Sequence, residues 1–182
     1  MKYYNLSDQE ARHVASLKPG ADFVIVVPIE QPPKGYKLIQ PSVYSNVDFY
    51  NDITGEYWST KLPHPLDTLI GLRETWNTGT DYYGHNQYVY KADNIVYPCV
   101  VKWRSSQCMA KEAIRHWATV TDSRVDMVQN ITKEEIILRG VSIFKMYQDD
   151  RFVDRFNNRY KGKYTWAQNP YVNIATLTGV TP

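Results

Sequence analysis

The densest chemistry in the chain lies between residues 102 and 115. Lys102-Trp103-Arg104 opens it, Ser105-Ser106-Gln107 follows as a polar turn, and Lys111 and Arg115 complete it. Guanidinium and ammonium groups beside a hydroxyl suit a phosphate. An indole among cations can stack on a base. A solvated turn and helix face would carry the same residue types. Upstream, Glu74 stands in the run Leu69 to Trp76, which reads as a strand with Leu72, Glu74 and Trp76 on one face. A carboxylate in phase with Leu and Trp points to the apolar side, where it must be paired or carry a raised pKa. It could accept from an exocyclic amine or activate a water. It could equally form a structural ion pair with Arg104 or Arg115, and the sequence leaves both readings open. Trp76 and Trp103 carry the same duality between stacking on a base and filling a core. The candidate ligand-binding set is Glu74, Trp76, Trp103, Arg104, Ser106, Lys111 and Arg115, with Glu74 the catalytic residue if the chain is an enzyme. The expectation that joins them is geometric: Glu74 and the cationic turn after Trp103 converge on one hollow.

Composition narrows the classes. With 21 basic and 19 acidic residues, total charge does not argue for nucleic acid; only a local patch can. Cys99 and Cys108 make neither a disulfide framework nor, with His64, His85 and His116, a set with metal-ligand spacing, so no metal and no cofactor is expected. No signal peptide or membrane span is read, and a cytoplasmic setting is expected. Arg151, Arg155 and Arg159 form one basic stripe at helical spacing that could track a phosphate backbone, but Asp150 and Asp154 dilute it and an exposed face is the preferred reading.

The elements that must position these residues follow from local signals. Ser7 and Glu10 form a capping-box pattern opening a helix from Asp8 to about Leu17. Phe23 to Val27 reads as a buried strand. Residues 30–68, with five prolines, read as an irregular insertion in a single domain spanning 1–182, carrying short edge strands at Tyr36 to Ile39, Val43 to Tyr44 and around Tyr57. Residues 77–86 read as a loop, Gln87 to Ala92 and Val96 to Trp103 as strands, and Met109 to His116 as two helical turns. The next strand changes phase: Ala118 and Val120 lie on one parity, Val125 and Met127 on the other. One extra residue near Asp122-Ser123 would bring all four inside. Thr132 and Glu135 repeat the capping box before a helix closed by Gly140. A helix from Gln148 to Tyr160 buries Phe152 and Phe156, and Tyr171 to Leu177 forms a last strand. Short strands interrupted by helices predict a mixed α+β barrel rather than a βαβ series.

Several stretches, taken together, resemble a phage-encoded branch of the ASCH family, relatives of the PUA domains. They are Arg73-Glu74-Thr75-Trp76, Tyr90-Lys91-Ala92-Asp93, Trp103-Arg104 with Ser106, Met109, Lys111, Ala113 and Arg115, then Ile131-Thr132 with Glu134, Glu135 and Gly140. The closing Trp166 and Asn169-Pro170 segment, and Pro28-Ile29 with Gln31-Pro32-Pro33, extend the likeness over most of residues 23–177. The resemblance implies a PUA-like mixed β-barrel with flanking helices, and a cleft suited to RNA or a modified nucleoside or nucleotide. If the chain is phage-encoded, it implies the host-cell cytoplasm. Some ASCH members hydrolyse an acylated cytidine and some are reported as ribonucleases. In the amidohydrolases a Lys and a Thr work with a Glu. If Gly20 aligns with that motif, Asp22 and Ile25 stand where the Lys and Thr belong, and Cys108 stands where the branch usually has His. The preferred expectation is therefore a non-catalytic binder. A hydrolase using Glu74, or a protein-interaction factor using the Tyr-rich stretch 77–90, are the alternatives.

Overall fold

The computed structural model of the chain describes residues 2–41, 45–80, 83–95, 102–140 and 148–181. In chain order the elements are β1 (Lys2–Asn5), α1 (Asp8–Ser16), β2 (Phe23–Pro28), β3 (Lys37–Pro41), β4 (Asn46–Tyr50), β5 (Tyr57–Lys61), β6 (Leu69–Arg73), β7 (Trp76–Thr80) and β8 (Asn86–Tyr90). They continue with β9 (His116–Met127), α2 (Lys133–Leu138), α3 (Gln148–Tyr160) and β10 (Tyr171–Thr181). Parallel and antiparallel pairs both occur, so the chain is α+β with mixed strand pairing. It divides into two compact units: Met1–Asp22 with Leu69–Thr119 and Thr178–Pro182, and Phe23–Thr68 with Val120–Leu177. Among the described residues no helix is long and apolar enough to cross a membrane.

In the first unit β6 is central. It pairs in parallel with β1, Tyr3 beside Gly71, and antiparallel with the start of β9, Gly71 beside Trp117. A Cβ on Gly71 would stand 3.0 Å from the Tyr3 ring and 3.1 Å from the Trp117 ring. Glycine is what lets the two aromatics close over the strand. The opposite face of β6 is apolar, with Ile70 and Leu72 fully buried. The first helix, α1, opens on the expected capping box of Ser7 and Glu10 and buries Ala11 and Val14. The hairpin of β7 and β8 leaves this sheet as a separate two-stranded arm, Trp76 beside Tyr90 and Thr78 beside Tyr88.

In the second unit β2 pairs antiparallel with β10 along Val172–Leu177. Val24, Val26, Val172 and Ile174 join Ile136 of α2 and Phe152 and Phe156 of α3 in one core. Arg139 and Tyr160 both donate to the Val26 carbonyl, at 3.2 and 3.0 Å. The second capping box, Thr132 with Glu135, forms as expected, and Gly140 ends α2 with φ of 79°. Residues 37–61 make a three-stranded antiparallel sheet that buries Val47 and Phe49 with Ile29, Leu62 and Val125.

Several elements differ from the sequence reading. The segment 30–68 is more regular than its prolines suggest, because they lie before, at the end of, or after the strands and so break no ladder. The run 69–76 is not one strand. It breaks at Glu74-Thr75, and β7 begins at Trp76 and runs on to Thr80 through the start of what reads as a loop. Asn77 to Thr80 carry weak strand propensity and are held by pairing with β8. Met109 to His116 is not helical: 3-10 turns at Ser106–Cys108 and Lys111–Ala113 flank an extended Met109-Ala110, and His116 already belongs to β9. The i, i+4 spacing of Met109 and Ala113 mimics a helical stripe, but both are buried in one cluster with Trp76 and Ile114. Tertiary burial overrides the local preference. The parity of burial in β9 does change, with Thr121 and Asp122 both exposed between buried Val120 and buried Ser123. Met127, expected inside, is 36% exposed, and Val128 takes the buried place as the chain turns out of the strand. Most of the strand expected at Val96 to Trp103 lies outside the described residues, as does that at Val43-Tyr44; Lys102 and Trp103 are in no strand.

Candidate functional site

The site is built on the break after β6. Because that strand ends at Arg73, Glu74 sits in the junction between β6 and the arm, with no exposed surface. Arg115, just before β9, meets it in a two-pronged bond, Nε to Oε1 at 2.9 Å and Nη2 to Oε2 at 3.0 Å. The same guanidinium reaches Asp93 Oδ1 at 2.6 Å and lies 4.1 Å from the centre of the Tyr90 ring. The Tyr90 hydroxyl donates to the Ala113 carbonyl at 2.7 Å. Burial raises the Glu74 pKa, and the Asp93 charge adds to that; the arginine opposes both without cancelling them. Burial works against the charge on Arg115, but its hydrogen bonds to Glu74 and Asp93 prevail and hold it above its ordinary value.

A second polar contact lies nearby. Asp8, the first residue of α1, accepts from Thr75 Oγ1 at 2.7 Å and from Lys91 Nζ at 2.5 Å. Burial raises the Asp8 pKa, but these partners outweigh it and hold it below its usual value. Glu74 and Thr75 precede the arm; Lys91 and Asp93 follow it. The two ion-paired groups therefore clamp the base of the β7–β8 hairpin at entry and exit.

The open surface is on the outer side of β7. Arg104 forms a one-residue bridge with Trp76, its amide donating to the Trp76 carbonyl at 2.8 Å and the Trp76 amide to the Arg104 carbonyl at 3.2 Å. Asn77 donates to the Lys102 carbonyl at 2.6 Å. Ser105 turns the chain by accepting from the Gln107 amide. Asn77, Thr78, Lys102, Trp103, Arg104, Ser105 and Cys108 line the resulting cleft of about 660 Å³. That volume falls within the roughly 300–1,000 Å³ of ordinary ligand sites. Trp103 is half-buried, while Lys102 and Arg104 are exposed. The Arg104 guanidinium stands 5.2 Å from the Trp76 ring, close enough for cation–π attraction to steer it. Neither cation has a carboxylate partner among the described residues.

The expected residues thus fall into three groups. Trp103 and Arg104 line the cleft, and Trp76, 4% exposed, underlies Arg104. Glu74 and Arg115 pair with each other and are not among the residues lining the cleft. Ser106 and Lys111 lie in the two 3-10 turns, Ser106 half-buried and Lys111 exposed. The candidate set left out Asn77, Thr78, Lys102, Ser105 and Cys108 as lining residues and Asp93 as the second carboxylate on Arg115. For Asn77 and Thr78 the signal was available: Trp76, Thr78 and Thr80 alternate with Asn77 and Gly79. Among the described residues no group of three or more His, Cys, Asp or Glu is placed to hold a metal. Compared with protein-family models, curated proteins and solved structures, the chain matches none.

Proposed function

We propose that the chain is a binding module for single-stranded RNA or a modified nucleotide, of the PUA-like mixed-barrel type that its ASCH-like motifs suggest, and that it acts without catalysis. The observation that carries this reading is the cleft itself: an indole between two exposed cations, with hydroxyl and amide groups of Ser105, Thr78 and Asn77 around it. An aromatic face accepts a base, worth about 1–3 kcal/mol per stacked base, and the cations accept the phosphate. The hydrolase alternative needs a carboxylate open to a substrate and a lysine beside it. Glu74 is closed to solvent, and both its oxygens are bonded to Arg115. That arrangement favours holding the fold over moving a proton. The protein-interaction alternative draws its support from the arm, where Tyr83 is 81% exposed.

The test is fluorescence anisotropy with a labelled single-stranded RNA octamer, followed by competition with free nucleosides and nucleotides. Wild type binds, and Arg104→Ala and Trp103→Leu each weaken binding about tenfold, as expected for losing one charged contact or one stacked base. Binding of both variants at wild-type strength, with circular dichroism unchanged, removes the cleft from consideration.

A further inference from the structure

We infer that Tyr88 forms a second stacking platform beside the cleft, so that the site takes two consecutive nucleotides of a single strand. This rests on the binding reading above and extends it to a residue that reading does not use.

Thr78 lines the cleft and is the register partner of Tyr88 across the β7–β8 ladder. Partners in an antiparallel pair project from the same face, with Cβ atoms about 4.5–5.5 Å apart. The Tyr88 ring therefore projects from the same face of the arm as Thr78 and Trp76. It is 40% exposed, and its orientation is fixed from below: it meets the Trp76 ring edge-on, centroids 5.8 Å apart at 64°. The Arg104 guanidinium rests on that same indole. One buried tryptophan thus orders both an exposed cation and an exposed ring, which can stand no further apart than those two distances combined. A single strand offers that pairing, with a phosphate between two bases that can splay and stack separately. A duplex does not, because its bases are already stacked on each other. The occupant is a strand rather than a protein segment because Lys102 and Arg104, beside the platform, carry uncompensated positive charge among the described residues.

The experiment compares a nucleoside 5′-monophosphate with the corresponding dinucleotide, by competition against the labelled octamer. Wild type binds the dinucleotide about 5- to 150-fold tighter, the range that one stacked base supplies. Tyr88→Ala brings the dinucleotide down to the monophosphate's level and leaves the monophosphate within twofold of wild type. Tyr88→Phe keeps the dinucleotide advantage, which separates stacking from loss of the hydroxyl. If Tyr88→Ala disturbs the arm, seen as a change in Trp fluorescence of the free protein, Tyr88→Leu replaces it, filling the space without a ring. Equal affinity of wild type for the two ligands, or an equal loss of both in Tyr88→Leu, overturns the second platform while the cleft stands. Absence of binding to octamer, dinucleotide and monophosphate alike overturns the cleft as well.

Discussion

Arg115→Met tests whether Glu74 is held as an ion pair. The substitution keeps an unbranched chain over Tyr90 but strips the partner from a carboxylate with no exposed surface. The stranded carboxylate keeps buried His116 nearby, its Nε2 4.0 Å from Glu74 Oε1, and the cost that follows is that of placing a proton on the carboxyl itself. For a carboxyl with an ordinary pKa of 4.5, protonation at pH 7 costs about 3.4 kcal/mol, 2.5 pH units at 1.36 kcal/mol each. Losing a charged hydrogen bond adds about 1 kcal/mol, and Asp93, 23% exposed, turns toward water at little expense. The expected penalty at pH 7 is about 4–5 kcal/mol, in line with removal of one member of a buried pair. At pH 5 the protonation share falls to about 0.7 kcal/mol, so the penalty drops to about 1–2 kcal/mol.

The sign follows from the direction of the shift. Burial already places the Glu74 pKa above its unfolded value, and loss of the arginine pushes it higher. Stability tied to such a group is full below pH 4.5 and is lost as pH rises through the folded-state value. The gap between wild type and variant therefore widens from pH 5 to pH 7. Urea denaturation followed by tryptophan fluorescence across that range measures it. Adding Glu74→Gln to Arg115→Met should recover about 2 kcal/mol at pH 7 and almost none at pH 5. A penalty under 1 kcal/mol at pH 7, or one that does not change with pH, would show that Glu74 is not buried as described.

Three further outcomes follow from particular contacts. Gly71→Ala places a methyl 3.0–3.1 Å from the Tyr3 and Trp117 rings and should destabilise by about 1–3 kcal/mol in the same assay. Thr132→Ala removes the hydroxyl that accepts from the Glu135 amide at 3.2 Å and should lower stability by about 1 kcal/mol, whereas Thr132→Ser should restore it. Asp8→Asn should weaken stability by less than about 1 kcal/mol, because Lys91 is 42% exposed. That loss should be visible above pH 3.8 and disappear as pH falls through the lowered Asp8 pKa, read from acid-limb denaturation midpoints.

What the sequence made legible was local. Ser7 with Glu10 and Thr132 with Glu135 name their helices because each box closes within four residues. Phe152 and Phe156 mark the buried side of α3 for the same reason, and the parity change in β9 can be read from Val120 and Val125 alone. What was not legible depended on distant partners. Around Asn77 the alternation of Trp76, Thr78 and Thr80 with Asn77 and Gly79 is too short to fix a strand until Val89 is placed across from it. Met109 and Ala113 have the spacing of a helix, and only their burial with Trp76 and Ile114 decides otherwise. Glu74 is the instructive case. Its phase with Leu72 and Trp76 correctly implied burial, although the strand carrying that phase ends one residue earlier. Its role hung on which cation lay nearby, and Arg104 and Arg115 were equal candidates until the fold chose Arg115.

That choice separates the cations of this unit into two populations with different work. Arg115 and Lys91 face carboxylates at 2.9 Å or less, so their fields are largely spent inside the protein. Lys102 and Arg104 face none among the described residues, and their fields extend into the cleft. A net charge of +2 hides this division, since a compensated arginine counts the same as an open one. The compensated pairs grip Glu74, Thr75, Lys91 and Asp93, the residues on either side of the β7–β8 arm, and the arm in turn supplies Asn77 and Thr78 to the cleft. The clamp adds to the burial of Trp76 with Met109, Ala113 and Ile114, since two strands alone are only marginally stable in water. Under the proposed binding function, Glu74 is a positioning residue that acts through the base of the arm and does not line the cleft. On this account Glu74→Gln, which keeps the shape and can still accept from Arg115, should leave RNA affinity nearly unchanged at 25 °C. Glu74→Ala, which loosens the base, should weaken affinity together with stability. A loss of affinity in Glu74→Gln at unchanged stability would instead mean that the carboxylate meets the ligand directly.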